Sequence, residues 1–153
     1  TRALDYLWFG IGAYLKSNPN IKYMFGPVSM SASFPTVAKD MMIFYYSHYF
    51  KEEVNLVEGK TPYQYSNNIS EIKELFDLED KKKGFKFLKS ALSNIGVTVP
   101  TLYKQYSEIT EDGGIKFLSF NIDKNFGDCI DGFILVEVDK IKESAKKRYI
   151  NKE

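Results

Sequence analysis

"IKFLSFNIDKNFGDCIDGFILVEV", residues 115–138, is the stretch whose reading decides the fold. Its first nine residues alternate in the manner of a half-buried strand, with Ile115, Phe117 and Ser119 on one side. "KNFGDCIDG" (124–132) reads as a loop, and "FILVEV" (133–138) predicts a second, strongly apolar strand. Just upstream, "VPTLYKQYSEITEDGG" (99–114) predicts a helix after Pro100, closed by a Gly113–Gly114 turn. Downstream, the last dozen residues read as a basic helix or tail.

The N-terminal half predicts a helix, a strand and another helix. Residues 2–17 carry apolar residues at 4, 7, 8, 11, 14 and 15, a helical period, which "SNPN" (17–20) interrupts. "IKYMFGPVSM" (21–30) reads as a short buried strand ended by its Gly-Pro pair. A helix is expected over 35–50, with Pro35 in its first turn. Its end, "MMIFYYSHYF", is apolar almost all round and predicts burial on most faces. Residues 51–80 are irregular except for a short acidic helix over 70–80, with Ser70 as N-cap. Residues 81–96 predict an amphipathic helix with lysines toward solvent, stopped at Gly96. This order of elements predicts one α/β domain with a small mixed sheet flanked by helices.

Composition narrows the function. With 21 basic and 20 acidic residues among 153, the net charge of +1 creates no field for nucleic acid. One cysteine, Cys129, excludes an internal disulfide, and one histidine, His48, argues against a histidine-ligated metal site. No apolar run reaches the ~20 residues needed to span a bilayer, and the first residues lack signal-peptide order. A cytoplasmic location is expected, with peripheral contact at the inner face of the membrane left open. The 16% aromatic content exceeds what a minimal core needs, which suggests an apolar binding surface or interface.

Five features invite chemistry, each beside a plainer reading. Gly10 and Gly12 would let backbone N–H groups approach a phosphate, or would let the helix pack closely. His48 could act as a base, but its Tyr/Phe-rich surroundings favour a packed histidine with a single hydrogen bond. Asp123, Asp128 and Asp131 could orient an amine or take its proton; the plainer reading is turn formation. Phe44, Tyr45, Tyr46, Tyr49 and Phe50 are core by default and an acyl tunnel by alternative. Lys81–Lys83 read as a solvated face.

Three blocks in order carry a resemblance: "ALDYLWFGIGAYL", "YMFGPVSMSASFPTVAKDMMIFYYSHYF", and "VPTLYKQYSEITEDGGIKFLSFNIDKNFGDCIDGFILVEVDKI". Together they resemble the GNAT-fold N-acyltransferases that make ornithine and glycine lipids, often labelled haemolysins and distantly like acyl-homoserine-lactone synthases. About 100 of the 153 residues are covered, with 51–80 outside as an insertion or lid. The resemblance implies the C-terminal portion of a GNAT-like domain, with the N-terminal half absent from this chain and the piece inactive alone. It implies transfer of a (3-hydroxy)fatty acyl group to the α-amine of an amino acid. The donor would be acyl-phosphopantetheine on acyl carrier protein or coenzyme A, with no tightly bound cofactor and no metal. Phe9, Gly10, Ile11 and Gly12 match the turn that holds the donor's phosphate at a helix start. The usual Gln/Arg opening of that signature is replaced by Leu7, a departure that fits carrier-bound acyl groups. Ser29, Ser31, Ser33, Tyr45 and Tyr49 are expected to contact substrate, and Asp123 to hold the ammonium or accept its proton. Arg2, Lys16, Lys22 and Lys39 are candidates for docking the acidic carrier protein. A fused or separate O-acyltransferase is a further expected partner. The rival reading is a haemolysin-labelled, non-catalytic acyl- or lipid-binding module.

Overall fold

The computed structural model describes residues 2–151. Helix α1 (Arg2–Ser17) leads into β1 (Tyr23–Met30) and α2 (Thr36–Tyr49). After an irregular stretch come α3 (Ile69–Glu74), α4 (Lys81–Asn94) and α5 (Thr101–Glu108). Strands β2 (Ile115–Asp123) and β3 (Cys129–Glu137) follow. A 3-10 turn (Val138–Lys140) and a helical turn α6 (Glu143–Ala145) then pass into π-helical Lys146–Ile150. Among the described residues no helix is long and apolar enough to cross a membrane.

The three strands form one sheet in the order β1-β3-β2, and both pairings are antiparallel. The expected mixed sheet is therefore corrected. β3 pairs with β2 through a five-residue connection, 124–128, which Gly127 (φ 62°) and Asp128 (φ 56°) close in left-handed conformations. The hairpin starts earlier than expected, so Asp131 is a strand residue and not a loop residue. β1 is also longer than its Gly-Pro pair suggested. It runs through Pro27 to Met30 because it is an edge strand, where a missing N–H is tolerated.

The periodicity of β2 breaks at a bulge between Phe117 and Ser119. One extra residue moves the core position from Ser119 to Phe120, so Ile115, Phe117 and Phe120 face inward while Ser119 faces out. On β3, Ile130, Ile134 and Val136 point the same way, toward the helices.

Helix α2 is the centre of the core. Met42, Ile43, Tyr45 and Tyr46 are buried, as the all-round apolar pattern predicted, because the sheet lies on one side and α3 and α4 on the other. The Tyr46 ring lies 4.6 Å from Phe117 and 5.2 Å from Tyr103. Each such side chain contributes about 1.5–3 kcal/mol on leaving water. Several caps differ from expectation by a residue. Pro35 is the N-cap of α2 rather than its first-turn residue. Asn68, not Ser70, caps α3, its side chain accepting from Ser70 N–H at 3.0 Å. Gly96 (φ 75°) follows α4 as the predicted stop.

Segment 51–80 is tied down at two places. Tyr63 N–H donates to Phe120 O at 2.9 Å, and Ile122 N–H to Thr61 O at 2.8 Å, so residues 61–63 cover the outer edge of β2. Asp40 of α2, which is 0% exposed, accepts from Tyr63 OH, Ser66 N–H, and the backbone and side chain of Asn67. A buried carboxylate with four donors is fully satisfied, and it joins the loop to the core.

Candidate functional site

The candidate residues fall into three places. The first is the far end of the sheet. Ser29 on β1 stands opposite Asp131 on β3, and Asp131 stands opposite Asn121 on β2. The Ser29 hydroxyl donates to Asp131 Oδ1 at 2.6 Å, joining residues 102 positions apart. Asp123 is paired with Cys129 and so lies diagonally from Asp131, a relation that places such residues about 7–8 Å apart. Asp123 also serves the hairpin, its Oδ1 accepting Asn125 N–H at 2.9 Å. Ser31 and Ser33 sit in the turn between β1 and α2, their hydroxyls 2.8 Å apart. The result is a polar corner of Ser29, Asp131 and Asp123 at one end of the sheet, with the Ser31–Ser33 pair in the turn that follows β1. Such a group can hold an ammonium or receive a proton from it. Sequence reasoning named Ser29 and Asp123 as candidates, and weighed Asp131, placed in a loop with Asp123 and Asp128, as a carboxylate that could orient an amine or take its proton. Ile130, two residues before Gly132 and in phase with Ile134 and Val136, was the signal that Asp131 belongs to the strand.

The second place is the α1 glycine pair. Both residues lie in the helix interior, not at its start, so their N–H groups are engaged along the helix. The expected phosphate cradle at a helix start is therefore not what these positions form. Gly12 has a packing role instead: a Cβ there would overlap the carbonyl oxygen of Tyr149. Gly10 has nothing within 4 Å of its notional Cβ. The C-terminal turn is fastened to α1 by further contacts. Arg148 reaches Asp5 at 3.0 Å, Tyr149 OH donates to the same carboxylate at 3.1 Å, and the Phe9 and Tyr149 rings are 5.2 Å apart. Trp8 and Ile11 lie on the buried side, with Trp8 Nε1–H donating to Gln105 Oε1 at 3.1 Å. Leu7 and Tyr14, counted with the inward face by spacing, are 65% and 62% exposed.

The third place is the aromatic stretch of α2. Tyr45 packs within 6.4 Å of Tyr46, Tyr49, Phe50, Phe76 and Phe85. Tyr49 OH donates to Asp77 O. Burial raises both phenols' pKa above the ordinary value, Tyr45 strongly, with neighbouring Tyr49 adding to Tyr45 and Asp77 to Tyr49. Tyr45 borders a cleft of about 480 Å³ with Lys81, Phe85, Glu108 and Thr110 on the helical side. At 1.5 Å per residue, the two tyrosines stand roughly 14–20 Å along α2 from its start beside Ser33. The structure thus does not bring them to the serines.

His48 takes the plainer role: its Nε2 lies 2.9 Å from Leu78 O, and its ring stacks on Phe44. Among the described residues no group of three His, Cys, Asp or Glu side chains is arranged to hold a metal ion. Lys82 and Lys83 are exposed, as a solvated face should be. Of the four docking candidates, Arg2, Lys16 and Lys22 are exposed, while Lys39 donates to Ala32 O at 3.1 Å.

A polar corner on an antiparallel sheet, backed by a helical layer, defines an α/β domain without naming its reaction. Sequence comparison is more specific. The chain is 30% identical over 148 residues to a glycine N(alpha)-acyltransferase of Bacteroides thetaiotaomicron, covering 97% of this chain and 43% of that protein. It is 28% identical over 148 residues to a glycine N(alpha)-acyltransferase of Phocaeicola vulgatus, covering 97% of this chain and 45% of that one. The chain thus spans less than half the length of these curated relatives. No family model matches it, and no solved structure is significantly similar to it.

Proposed function

We propose that this chain is the C-terminal portion of an N-acyltransferase that places an acyl group on the α-amine of an amino acid. The two relatives' names support the reaction class, and the α/β architecture is compatible with a GNAT-like domain. The observation that carries the reading is the Ser29–Asp131 hydrogen bond, which joins the second and third blocks of the resemblance in one polar corner. Asp123 stands diagonally across that corner.

The chemistry asks for few groups. A neutral amine attacks the thioester carbonyl, the C–N bond forms, the C–S bond breaks, and the amine's proton leaves through a base or water. Asp123 and Asp131 are proposed to hold the incoming ammonium and accept that proton, with Ser29 orienting Asp131. Ser31 and Ser33 are proposed to contact the substrate. The proposed donor is a (3-hydroxy)fatty acyl group on acyl carrier protein, docked through Arg2, Lys16 and Lys22, and the proposed setting is bacterial aminolipid synthesis.

A chimera tests this. The matched part of the Bacteroides thetaiotaomicron protein is replaced by this chain and expressed in a bacterium that lacks N-acyl amino acid lipids. Mass spectrometry of lipid extracts should reveal new N-acyl amino acid species, lost in the Asp131→Asn chimera. A folded chimera that makes no such lipid overturns the reading.

A further inference from the structure

The cleft of about 480 Å³ on the helical side lies between the end of α2, the start of α4 and the end of α5. Two hydroxyl-bearing residues on its wall are almost wholly buried, Tyr45 at 3% and Thr110 at 5% exposure. Among the described residues the Tyr45 hydroxyl makes no hydrogen bond, and Thr110 Oγ1 is buried without a partner. The phenol of Tyr45 stands near Glu108 on the same wall, whose charge adds to burial and Tyr49 in raising its pKa. Buried polar groups are ordinarily paired, so two such hydroxyls at one cleft call for an explanation. The polar corner does not supply it. Thr110 and Asp112 precede β2, and Asn121 stands roughly 20 Å along that strand from Ile115, at about 3.3 Å per residue.

The rim of the cleft carries both signs of charge in equal number, Lys81, Lys82 and Lys142 against Glu108, Glu111 and Asp112. Lys81 is paired with Asp112, and its ammonium lies 5.1 Å from the centre of the Phe50 ring. Lys142 and Lys82 also act on the Asp112 carboxyl, so cationic charge gathers at that end, while Glu108 stands beside Tyr45. A ligand of a single sign meets as much repulsion as attraction on such a rim. One that carries a cation beside an anion meets its complement in both. A bare acyl chain would leave the two hydroxyls unpaired. Phe50 and Phe85 add an apolar wall, and the volume is far more than glycine fills. We propose that this cleft binds a free α-amino acid with a large apolar or aromatic side chain. Its carboxylate pairs with Lys82 or Lys142, its ammonium with Glu108, and its side chain lies against Phe50 and Phe85. The hydroxyls of Tyr45 and Thr110 gain in this ligand the hydrogen-bond partners they lack. The site is separate from the polar corner and independent of the reaction proposed above.

Calorimetric titration of the 153-residue chain tests this, with phenylalanine, leucine and glycine as probes and octanoate as the acyl alternative. Saturable one-to-one binding of phenylalanine or leucine, at least about tenfold tighter than glycine, is the expected result. Tyr45→Phe and Thr110→Val each remove one hydroxyl without changing shape. Each should weaken that binding by about threefold to tenfold, while thermal unfolding of the free chain stays unchanged or moves upward. Lys82→Gln, at an exposed position, should weaken it in the same direction without affecting the fold. Three results overturn the proposal. One is the absence of saturable binding by phenylalanine and leucine up to about 10 mM. Another is a preference for glycine or octanoate, and the last is binding that all three substitutions leave unchanged. Each readout is binding or unfolding of the chain, so the site and the reaction are tested separately.

Discussion

Gly10 and Gly12 are two residues apart on one helix, yet their surroundings give opposite predictions. Gly10→Ala adds a methyl group into open space and removes a flexible residue from a helix interior, so it should stabilise the fold by about 0.5–1 kcal/mol. Gly12→Ala drives a methyl group into the Tyr149 carbonyl and should destabilise by about 1–3 kcal/mol, loosening the C-terminal turn. Urea titrations of the two variants measure both signs. Two buried hydroxyls give a second test. Neither Tyr46 OH nor Thr110 Oγ1 has a hydrogen-bond partner of adequate geometry, although Ser107 is near enough to the Tyr46 phenol to lower its pKa against the dominant effect of burial. Tyr46→Phe and Thr110→Val each remove an unsatisfied group without changing shape. Each should leave stability unchanged or raise it by up to about 1 kcal/mol in thermal or urea melts.

At the scale of elements, Asp40 joins α2 to the loop that covers the β2 edge. Asp40→Ala strands donors from Tyr63, Ser66 and Asn67, and should cost about 2–4 kcal/mol. Hydrogen exchange should accelerate first over 61–68, where the loop loses its anchor. A smaller electrostatic link joins α4 to the turn before β2. The hydrogen bond from Lys81, then its charge, holds the Asp112 carboxyl below the usual carboxylate range. A carboxyl lowered on folding contributes stability above its unfolded pKa, and that contribution disappears as pH falls through the folded value. Because Asp112 is exposed, the effect is a few tenths of a kcal/mol at most. Lys81→Met should flatten that part of the acid limb in stability measured between pH 5 and 2.

At the scale of the whole molecule, the sheet has a helical layer on one side and an apolar, carboxylate-rimmed surface on the other. The polar corner opens at one end of that surface. Asp131→Asn should therefore abolish the chimera's lipid output at wild-type protein levels, as read from lipid extracts normalised to soluble chimera.

The element order was legible in the sequence because hydrophobic period and punctuation are local. Helices 2–17 and 81–94, strand 115–123 and the Gly96 stop all follow from neighbours within a turn or two. The burial of α2 was legible for the same reason, since a segment apolar on every side can only lie inside. What lies opposite each element was not legible. The antiparallel β1-β3-β2 order, the bulge that exchanges Ser119 for Phe120, and the Ser29–Asp131 contact all depend on register between distant strands. Gly12 illustrates the limit most plainly: the residue type announces a close approach, but only the folded chain shows that the approaching group is its own Tyr149 backbone. Local sequence determines where the chain turns and which side is apolar, and tertiary structure decides which distant residue meets it, because such contacts are set by the packing of the whole chain.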